Sequence, residues 1–410
     1  MRQPLIGGST EDGTMSAGEM TALTNLTAAS GRQIRLEGLD TLHQRPASEV
    51  VAYVHGGSVL ALSARYCDLP SLPASIGELV SLQELDLTGN ALASLPASFK
   101  ALTQLRRLFL DENELAVAPV WLTDLAHLQA LHLDSNGLSA LPHEIDHLTD
   151  LRVLSVCNNR LTGLPDTLWR LANLEALTIG ENPLPSLPNS IGNLRDLREL
   201  YVHSMSLETI PESVGDLANL QTLDLGHNSI SALPDSIRRL HALRVLYLSN
   251  NRITSAPESL GELRELRYLN IADNALPGLP ETLGNLTNLV ELRLYDNVLQ
   301  SLPASIGALT NLRELHLKDN YIASLPPLLG GLRELRRLDL RNNRLALLPE
   351  SVGELHALTF LDLRANRLVA LPDAIGNLPR LEKLDLRWNK LSRQPPWIDR
   401  LEQQGCAVLA

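Results

Sequence analysis

Apolar residues recur along this chain of 410 residues with a period of 23 from about Val59 onward. Each unit opens with an alternating stretch, such as Leu82-x-x-Leu85-x-Leu87, which has the period of a strand with one buried face. In thirteen of the fifteen units, Asn stands three residues after this stretch. Six residues further on, every unit has Pro. The pattern predicts one strand, one inward turn and one return segment per unit.

The two fixed positions, Asn and Pro, have different structural reasons. A buried Asn amide can bond backbone groups of its own turn and of the adjacent unit. Cys67 can make only a weak version of that bond and Met205 none, so we expect a local irregularity at residues 203–206. Pro at a fixed register is incompatible with a central parallel sheet, which places the Pro series in a short helix or 3₁₀ turn outside the sheet.

A repeat this regular predicts an α/β solenoid of about fifteen stacked units. We expect a curved array with a parallel sheet on its concave face and short helical or 3₁₀ segments on its convex face. The predicted regions are a flexible leader over 1–30, an N-terminal cap, helical or irregular, over 31–57, the solenoid over 58–394 and a C-terminal cap over 395–410.

Composition and charge exclude several classes of function. A net charge of −12, with acids and bases mixed, argues against binding to nucleic acid or to an anionic membrane. Three scattered cysteines favour neither a disulfide framework nor a zinc site. The N-terminus lacks the apolar stretch of a secretory signal. We therefore expect a cytoplasmic protein without metal or cofactor; the Ser/Thr-rich leader leaves open secretion into a host cell without a cleaved signal peptide.

The unit Leu-x-x-Leu-x-Leu-x-x-Asn-x-Leu with its Leu-Pro and Ile-Gly-x-Leu elements resembles the leucine-rich repeat superfamily. Its 23-residue form is similar to Ras-group leucine-rich repeat proteins and to those of bacteria, including effectors delivered into host cells. The resemblance covers roughly residues 58–410 and implies the fold rather than a partner. Some bacterial effectors of this kind carry a C-terminal ubiquitin-ligase domain, and none is recognisable in this sequence.

The register identifies the residues that point from the strands into the predicted concavity. Eight of the fourteen aromatic residues fall there, and four tyrosines cluster in the middle of the array. Such rings are typical of binding anchors, although lateral packing within the sheet also explains them. The predicted partner-binding residues are Phe109, Tyr201, His203, Tyr247, Tyr268, Tyr295 and His316, with Arg341, Arg364 and Arg387 as a second, charged contact.

The charged contact has two interpretations. Lys318 shares one strand position with the three arginines, and Asp339, Asp362 and Asp385 share the position two residues earlier. This arrangement fits a basic rail for an acidic partner, or a self-compensating ladder in which each pair contributes less than about 1 kcal/mol.

Cys157, His132 and Asp134 contain the residue types of a thiol nucleophile, its base and its orienter. We expect this site to be open and wet, which disfavours catalysis.

We therefore predict a non-enzymatic, monomeric scaffold that binds a protein on the concave face, as a bacterial effector or signalling adaptor. The alternative is a substrate-recognition subunit of a ubiquitin-ligase or phosphatase complex. A structural array that self-associates through its ends is a third hypothesis.

Overall fold

The structure, a computed structural model, describes residues 9–10, 13–38 and 47–410. The chain divides into two compact units. The first comprises Met1–Leu184 and Asn193–Glu199, and the second comprises Pro185–Gly192 and Leu200–Ala410. Both are stacks of 23-residue repeats, each repeat contributing one short strand and one 3₁₀ turn.

The described part of the first unit contains one α-helix and ten strands. The helix α1 is Ala17–Ser30. The strands are Ser9–Thr10 (β1), Gly13–Thr14 (β2), Ile34–Glu37 (β3), Val50–His55 (β4), Ser58–Ser63 (β5), Glu84–Asp86 (β6), Arg107–Phe109 (β7), Ala130–His132 (β8), Val153–Ser155 (β9) and Ala176–Thr178 (β10). Its 3₁₀ helices are Ala74–Glu78, Ala97–Ala101, Val120–Asp124, Ile145–His147 and Asp166–Arg170.

The division falls within the 3₁₀ helix Asn189–Asn193 and the strand Glu199–Tyr201 (β11). The second unit then continues with Thr222–Asp224 (β12), Val245–Tyr247 (β13), Tyr268–Asn270 (β14), Glu291–Arg293 (β15), Glu314–His316 (β16), Arg337–Asp339 (β17), Phe360–Asp362 (β18), Lys383–Asp385 (β19), the helix Ile398–Gln403 (α2) and Ala407–Leu409 (β20). Its 3₁₀ helices are Glu212–Asp216, Asp235–Arg239, Glu258–Glu262, Glu281–Asn285, Ala304–Ala308, Pro327–Gly331, Glu350–Glu354 and Asp373–Asn377.

The repeat period sets the sheet register. In the second unit, strands β12 to β20 pair in parallel and in sequence order, and through β19 each residue lies beside the one 23 positions later. In the first unit, β5 to β10 pair in the same way. This constant register places Leu beside Leu in neighbouring strands, as with Leu246 and Leu269, which are fully buried. The predicted parallel sheet with 3₁₀ return segments is confirmed.

The buried asparagines form a ladder between successive repeats. Asn251, for example, accepts a hydrogen bond from the amide of Ile230 at 3.0 Å and donates to Leu225 O at 2.9 Å, both in the preceding repeat. It also donates to Leu248 O of its own turn at 3.0 Å. The amide group therefore satisfies donors and acceptors that would otherwise be buried without partners.

The irregularity expected where the Asn is missing is present. Ser204 and Ser206, on either side of Met205, both have positive φ, at 55° and 65°. Repeats with Asn have one such residue, immediately before the Asn. The following repeat compensates, because Asn228 Oδ1 accepts the amides of both Met205 and Leu207 at 3.0 Å.

The repeat of Cys67 shows the same two features. Tyr66 and Asp68 have φ values of 52° and 57°. Asn90 Oδ1 accepts the amides of both Cys67 and Leu69. The Cys67 thiol also donates to Arg65 O at a sulfur–oxygen distance of 3.4 Å, which is the weak bond expected from the sequence.

On the side away from the sheet, the Pro series precedes the 3₁₀ helices. Pro257 has φ −71° and ψ 153°, and its carbonyl accepts the first 3₁₀ bond from Leu260. The glycine four residues after this proline lies against the next repeat: a Cβ on Gly261 would stand 2.3 Å from Thr282 O. Close stacking of the 3₁₀ helices therefore requires a residue without a side chain at this position.

The N-terminal region differs from the sequence prediction. Residues 17–30 of the predicted flexible leader form α1, which begins with a capping box between Ser16 and Glu19. Glu19 is buried, and its Oε1 accepts the amide of Val59 in β5 at 2.9 Å. Leu23 and Leu26 are fully buried, so tertiary packing orders this helix.

The predicted helical or irregular cap over 31–57 contains strands instead. β3 pairs in parallel with β4, and β4 pairs antiparallel with β5. Val50, Val51 and Val54 are buried in β4. Residues 1–8, 11 and 12 of the predicted leader and 39–46 of the predicted cap lie outside the described residues. At the other end, α2 and β20 occupy the predicted C-terminal cap. The boundaries at 30, 57 and 394 stay predictions.

Candidate functional site

The central tyrosines of the second unit are brought together on the sheet face. Tyr247 ends β13 and Tyr268 begins β14, and their ring centroids are 4.9 Å apart with planes tilted by 48°. Both rings are half-buried. Burial raises the pKa of Tyr268 to about 12, so its hydroxyl stays protonated well above neutral pH. The two rings form one amphipathic surface on the sheet face of the second unit.

Cations extend this surface toward the following repeats. The guanidinium of Arg293 lies 5.5 Å from the ring centre of Tyr268, and Lys318 Nζ lies 4.7 Å from that of Tyr295. Arg293 is also held by Glu291 at 2.5 Å. We call Tyr247, Tyr268, Tyr295, Arg293 and Lys318 the tyrosine cluster. Its ring–cation contacts fix long side chains before any partner binds, which lowers the entropic cost of binding.

Two further predicted residues lie on this face in the first strands of the second unit. Tyr201, at the end of β11, is half-buried. His203 follows it, with Nδ1 3.7 Å from Asp224 Oδ2. Both residues belong to the repeat of β11, which precedes the repeats of the tyrosine cluster.

His316 is held by carboxylates. Its Nε2 lies 3.0 Å from Glu314 Oε2 and 3.9 Å from Glu291 Oε1. The three side chains have potential metal-ligand atoms within 4.8 Å of one another. However, Glu291 is already paired with Arg293 and Glu314 with His316, so the cluster is satisfied by its own contacts. We assign no metal role to it.

The predicted rail of arginines is largely compensated within the protein. Arg364 Nη2 lies 2.6 Å from Asp362 Oδ2, and its Nε lies 3.2 Å from Asp385 Oδ2. Arg387 binds Asp385 at 2.6 Å. Both aspartates are buried. This geometry favours the self-compensating ladder over an open rail at these two arginines.

Arg341 is the exception in this column. Among the described residues its guanidinium forms no ion pair, although its amide donates to Asp339 Oδ1 at 3.1 Å. Burial, together with the charge of Asp362, raises the pKa of Asp339. Of the three arginines, Arg341 therefore has its charge most available to a partner.

Phe109 lies in the first unit, in a different environment. It stacks on His132 with ring centroids 4.8 Å apart, beside a pocket of about 520 Å³. Asp111, Asp134 and Glu112 also line this pocket. Burial, together with the charge of Asp134, raises the pKa of Asp111 to about 7. The register placed Phe109 on the face, but the acidic surroundings could be recognised only once neighbouring strands were aligned.

The surroundings of the Cys157 thiol disfavour its ionised, nucleophilic form. Burial and the charge of Asp134 raise its pKa to about 12, so the thiolate is disfavoured at neutral pH. Asp134 accepts the Cys157 amide at 2.6 Å and the Ser155 hydroxyl at 2.7 Å. Burial also lowers the pKa of His132. Asp134, Ser155 and Cys157 form a structural hydrogen-bond network, and the thiol is not activated as a nucleophile.

Comparison with known proteins identifies the class. A family profile described as "Leucine-rich repeat region" matches residues 117–209, 241–326 and 305–403, and one described as "Leucine rich repeat" matches 80–138 and 195–253. Together these ranges cover more than half of the chain. The chain belongs to the leucine-rich repeat family. A search of curated proteins finds no match.

Solved structures extend this comparison. A leucine-rich repeat protein of Leptospira interrogans is 31% identical, with a TM-score of 0.79, over 92% of this chain and 99% of that one. The Arabidopsis receptor kinase HAESA, in complex with the peptide hormone IDA and the co-receptor SERK1, is 29% identical, with a TM-score of 0.69, over 82% of this chain and 64% of that one. An internalin of Listeria monocytogenes, at 24% identity and a TM-score of 0.66 over 77% of this chain and 89% of that one, shares the fold. In the described part of the chain, no helix has the length and apolar character needed to span a membrane.

Proposed function

We propose that this protein is a non-catalytic scaffold that binds a protein partner on the sheet face of its second unit. The observation that carries this proposal is the contact between Tyr247 and Tyr268, extended by cations stacked on Tyr268 and Tyr295. Tyr and Arg dominate binding energy at protein interfaces because they combine apolar area with hydrogen bonding. A rigid repeat array holds these side chains in fixed relative positions.

The surrounding predicted residues complete this proposed face. Tyr201, His203 and His316 would contact the partner beside the tyrosine cluster. Arg341 would guide encounter by its charge, with Arg364 and Arg387, which are paired within the protein, as secondary contacts. Phe109 would form a separate contact in the first unit. The receptor kinase HAESA forms a complex with a peptide hormone, which supports a peptide segment as the class of ligand here. A monomeric adaptor or bacterial effector acting by binding alone fits this arrangement.

The test is a binding titration with the double variant Tyr247→Ala/Tyr268→Ala. The partner is first identified by affinity purification from the native cell, and its affinity is then measured by calorimetry. Buried interface tyrosines typically contribute about 2 kcal/mol each, so we expect affinity to fall by at least about 100-fold.

The control is Leu328→Ala, which removes an exposed apolar side chain on the 3₁₀ helix Pro327–Gly331, outside the sheet face. This variant should bind the partner within about twofold of wild type. Equal affinity of the double variant and wild type, with both folded, would refute the proposed face.

A further inference from the structure

A second charged surface lies outside the sheet face, on the turns that follow the last strands. The residue immediately after the buried Asn is Arg344, Arg367 and Lys390 in three consecutive repeats. Their amides donate to the preceding turns at Ile322 O, Leu345 O and Leu368 O, at 2.9 to 3.0 Å. The backbones are therefore stacked at about one strand spacing, roughly 4.8 Å. We call these three residues the turn-edge cations.

The turn-edge cations differ from Arg364 and Arg387 of the sheet face in having no ion-pair partner among the described residues. All three are exposed, and none forms an ion pair with any residue that the structure describes. Arg364 and Arg387, by contrast, are each bound to buried aspartates. Three like charges at successive positions repel one another, and an anionic partner would relieve that repulsion.

One of these cations is already oriented. The Arg344 guanidinium stacks on the Tyr321 ring at 4.1 Å from its centre. Stacking leaves the planar edge of the guanidinium, which matches a carboxylate, directed away from the ring. Arg344, Arg367 and Tyr321 line a cleft of about 380 Å³. A carboxylate entering this cleft would meet a preformed donor.

The two acids in the same cleft share one cation. Lys318 Nζ lies 3.3 Å from both Asp296 Oδ2 and Asp319 Oδ2. Asn342 Nδ2 also donates to Asp319 Oδ1 at 2.7 Å. These contacts limit the repulsion that Asp296 and Asp319 would exert on an incoming anion.

An exposed ring adjoins the cations. Trp388, two residues before Lys390, is 70% exposed, although tryptophan is usually largely buried. Its face is partly covered by Arg387, whose guanidinium lies 5.5 Å from the ring centre. A partner carrying an apolar side chain beside its acids could contact Trp388 and the cations together.

We propose that the turn-edge cations bind an acidic segment of a protein partner. The three cations span only about 10 Å, which matches three or four residues of an extended peptide. A nucleic acid requires a longer basic surface, and the net charge of −12 opposes a long polyanion. This proposal is independent of the tyrosine cluster and concerns a different face of the repeats.

The experiment measures fluorescence anisotropy of the full chain with a labelled acidic peptide of about eight residues, rich in Asp and Glu. A peptide of the same length with Asn and Gln, and a short oligothymidylate, are the comparison ligands. The variant is Arg344→Gln/Arg367→Gln/Lys390→Gln, in which only exposed side chains change. We expect the acidic peptide to bind, with affinity that falls as salt rises, and the variant to weaken it by about tenfold or more.

Two control proteins separate this proposal from the first. Arg252→Gln changes an exposed arginine at the same turn position of an earlier repeat and should leave affinity within about twofold. Tyr247→Ala/Tyr268→Ala should also leave acidic-peptide binding unchanged. The proposal is overturned if the triple variant binds like wild type, if the neutral peptide binds equally well, or if oligothymidylate binds more tightly than the acidic peptide.

Discussion

The buried asparagine ladder makes a quantitative prediction for Asn297. This side chain is 6% exposed, and its Oδ1 accepts the amide of Leu276 at 3.0 Å. Its Nδ2 donates to Ile271 O at 2.9 Å and to Leu294 O at 3.2 Å. Replacing it with alanine removes all of these bonds at once.

The loss of stability depends on which of these backbone groups keep another hydrogen-bond partner in the variant. Ile271 O also accepts from Asn274 at 3.3 Å, and Leu294 O also accepts from Asn320 at 3.0 Å. The Leu276 amide has no such substitute among the described contacts. One buried donor without a partner costs about 1–3 kcal/mol, and each shared bond lost contributes about 0.5–1 kcal/mol more. Asn297→Ala should therefore destabilise the protein by about 3 kcal/mol.

Urea denaturation followed by circular dichroism measures the global effect. Amide hydrogen exchange measures the local one and remains valid if the repeats unfold in more than one step. The Leu276 amide should lose most of its protection in the variant. The control is Asn311→Ala, whose Nδ2 also donates to a carbonyl of the preceding repeat, Thr287 O, but at an exposed site. A loss of stability in Asn297→Ala no larger than in this control would refute the reasoning.

Two further predictions concern stability. Gly261→Ala should cost about 2 kcal/mol, because its Cβ would stand 2.3 Å from Thr282 O, whereas Gly278→Ala, with no atom within 4 Å of its Cβ, should cost less than about 0.5 kcal/mol. Equal thermal midpoints for the two variants would contradict the packing account. Burial raises the folded-state pKa of Asp111 from 3.8 to about 7, so the folded protein binds the proton more tightly and stability falls as pH rises between these values. Asp111→Asn should remove about 1–2 kcal/mol of that fall in stability, after allowance for solvent screening. The prediction is contradicted if the urea midpoint changes between pH 5 and pH 8 by the same amount in the variant and in the wild type.

Much of the fold follows from the 23-residue register. Alternating Leu, buried Asn and fixed Pro were sufficient to predict the strands, the parallel pairing and the 3₁₀ turns. The irregularity at Met205 also followed, because a methionine side chain cannot make the hydrogen bonds that the asparagine amide makes in most repeats. Each of these features depends on a residue type that repeats at a fixed spacing.

The N-terminal region was predicted less well because it contains no repeat. The signal for α1 was present as Ser16-x-x-Glu19, a capping box, but the helix lacks a clear apolar stripe. Its order depends on contacts distant in sequence, such as Glu19 with Val59. The strands β3 and β4 similarly depend on pairing rather than on local pattern.

The candidate site was predictable in position and less so in chemistry. The register placed Tyr247 and Tyr268 on one face, and the structure brings their rings into contact. The sequence could not decide whether Arg364 and Arg387 are available, because that depends on side-chain geometry toward Asp362 and Asp385. The turn-edge cations occupy the position after the Asn, which lies outside the strand positions that the register assigns to the concave face.

The most direct test of the proposed binding face locates the partner on the molecule. A photoreactive benzoylphenylalanine is introduced in place of Tyr268 on the sheet face, or in place of Arg264, which is exposed beside a 3₁₀ helix. The account predicts that the purified partner cross-links from position 268 and not from position 264. Cross-linking from position 264 alone would contradict it.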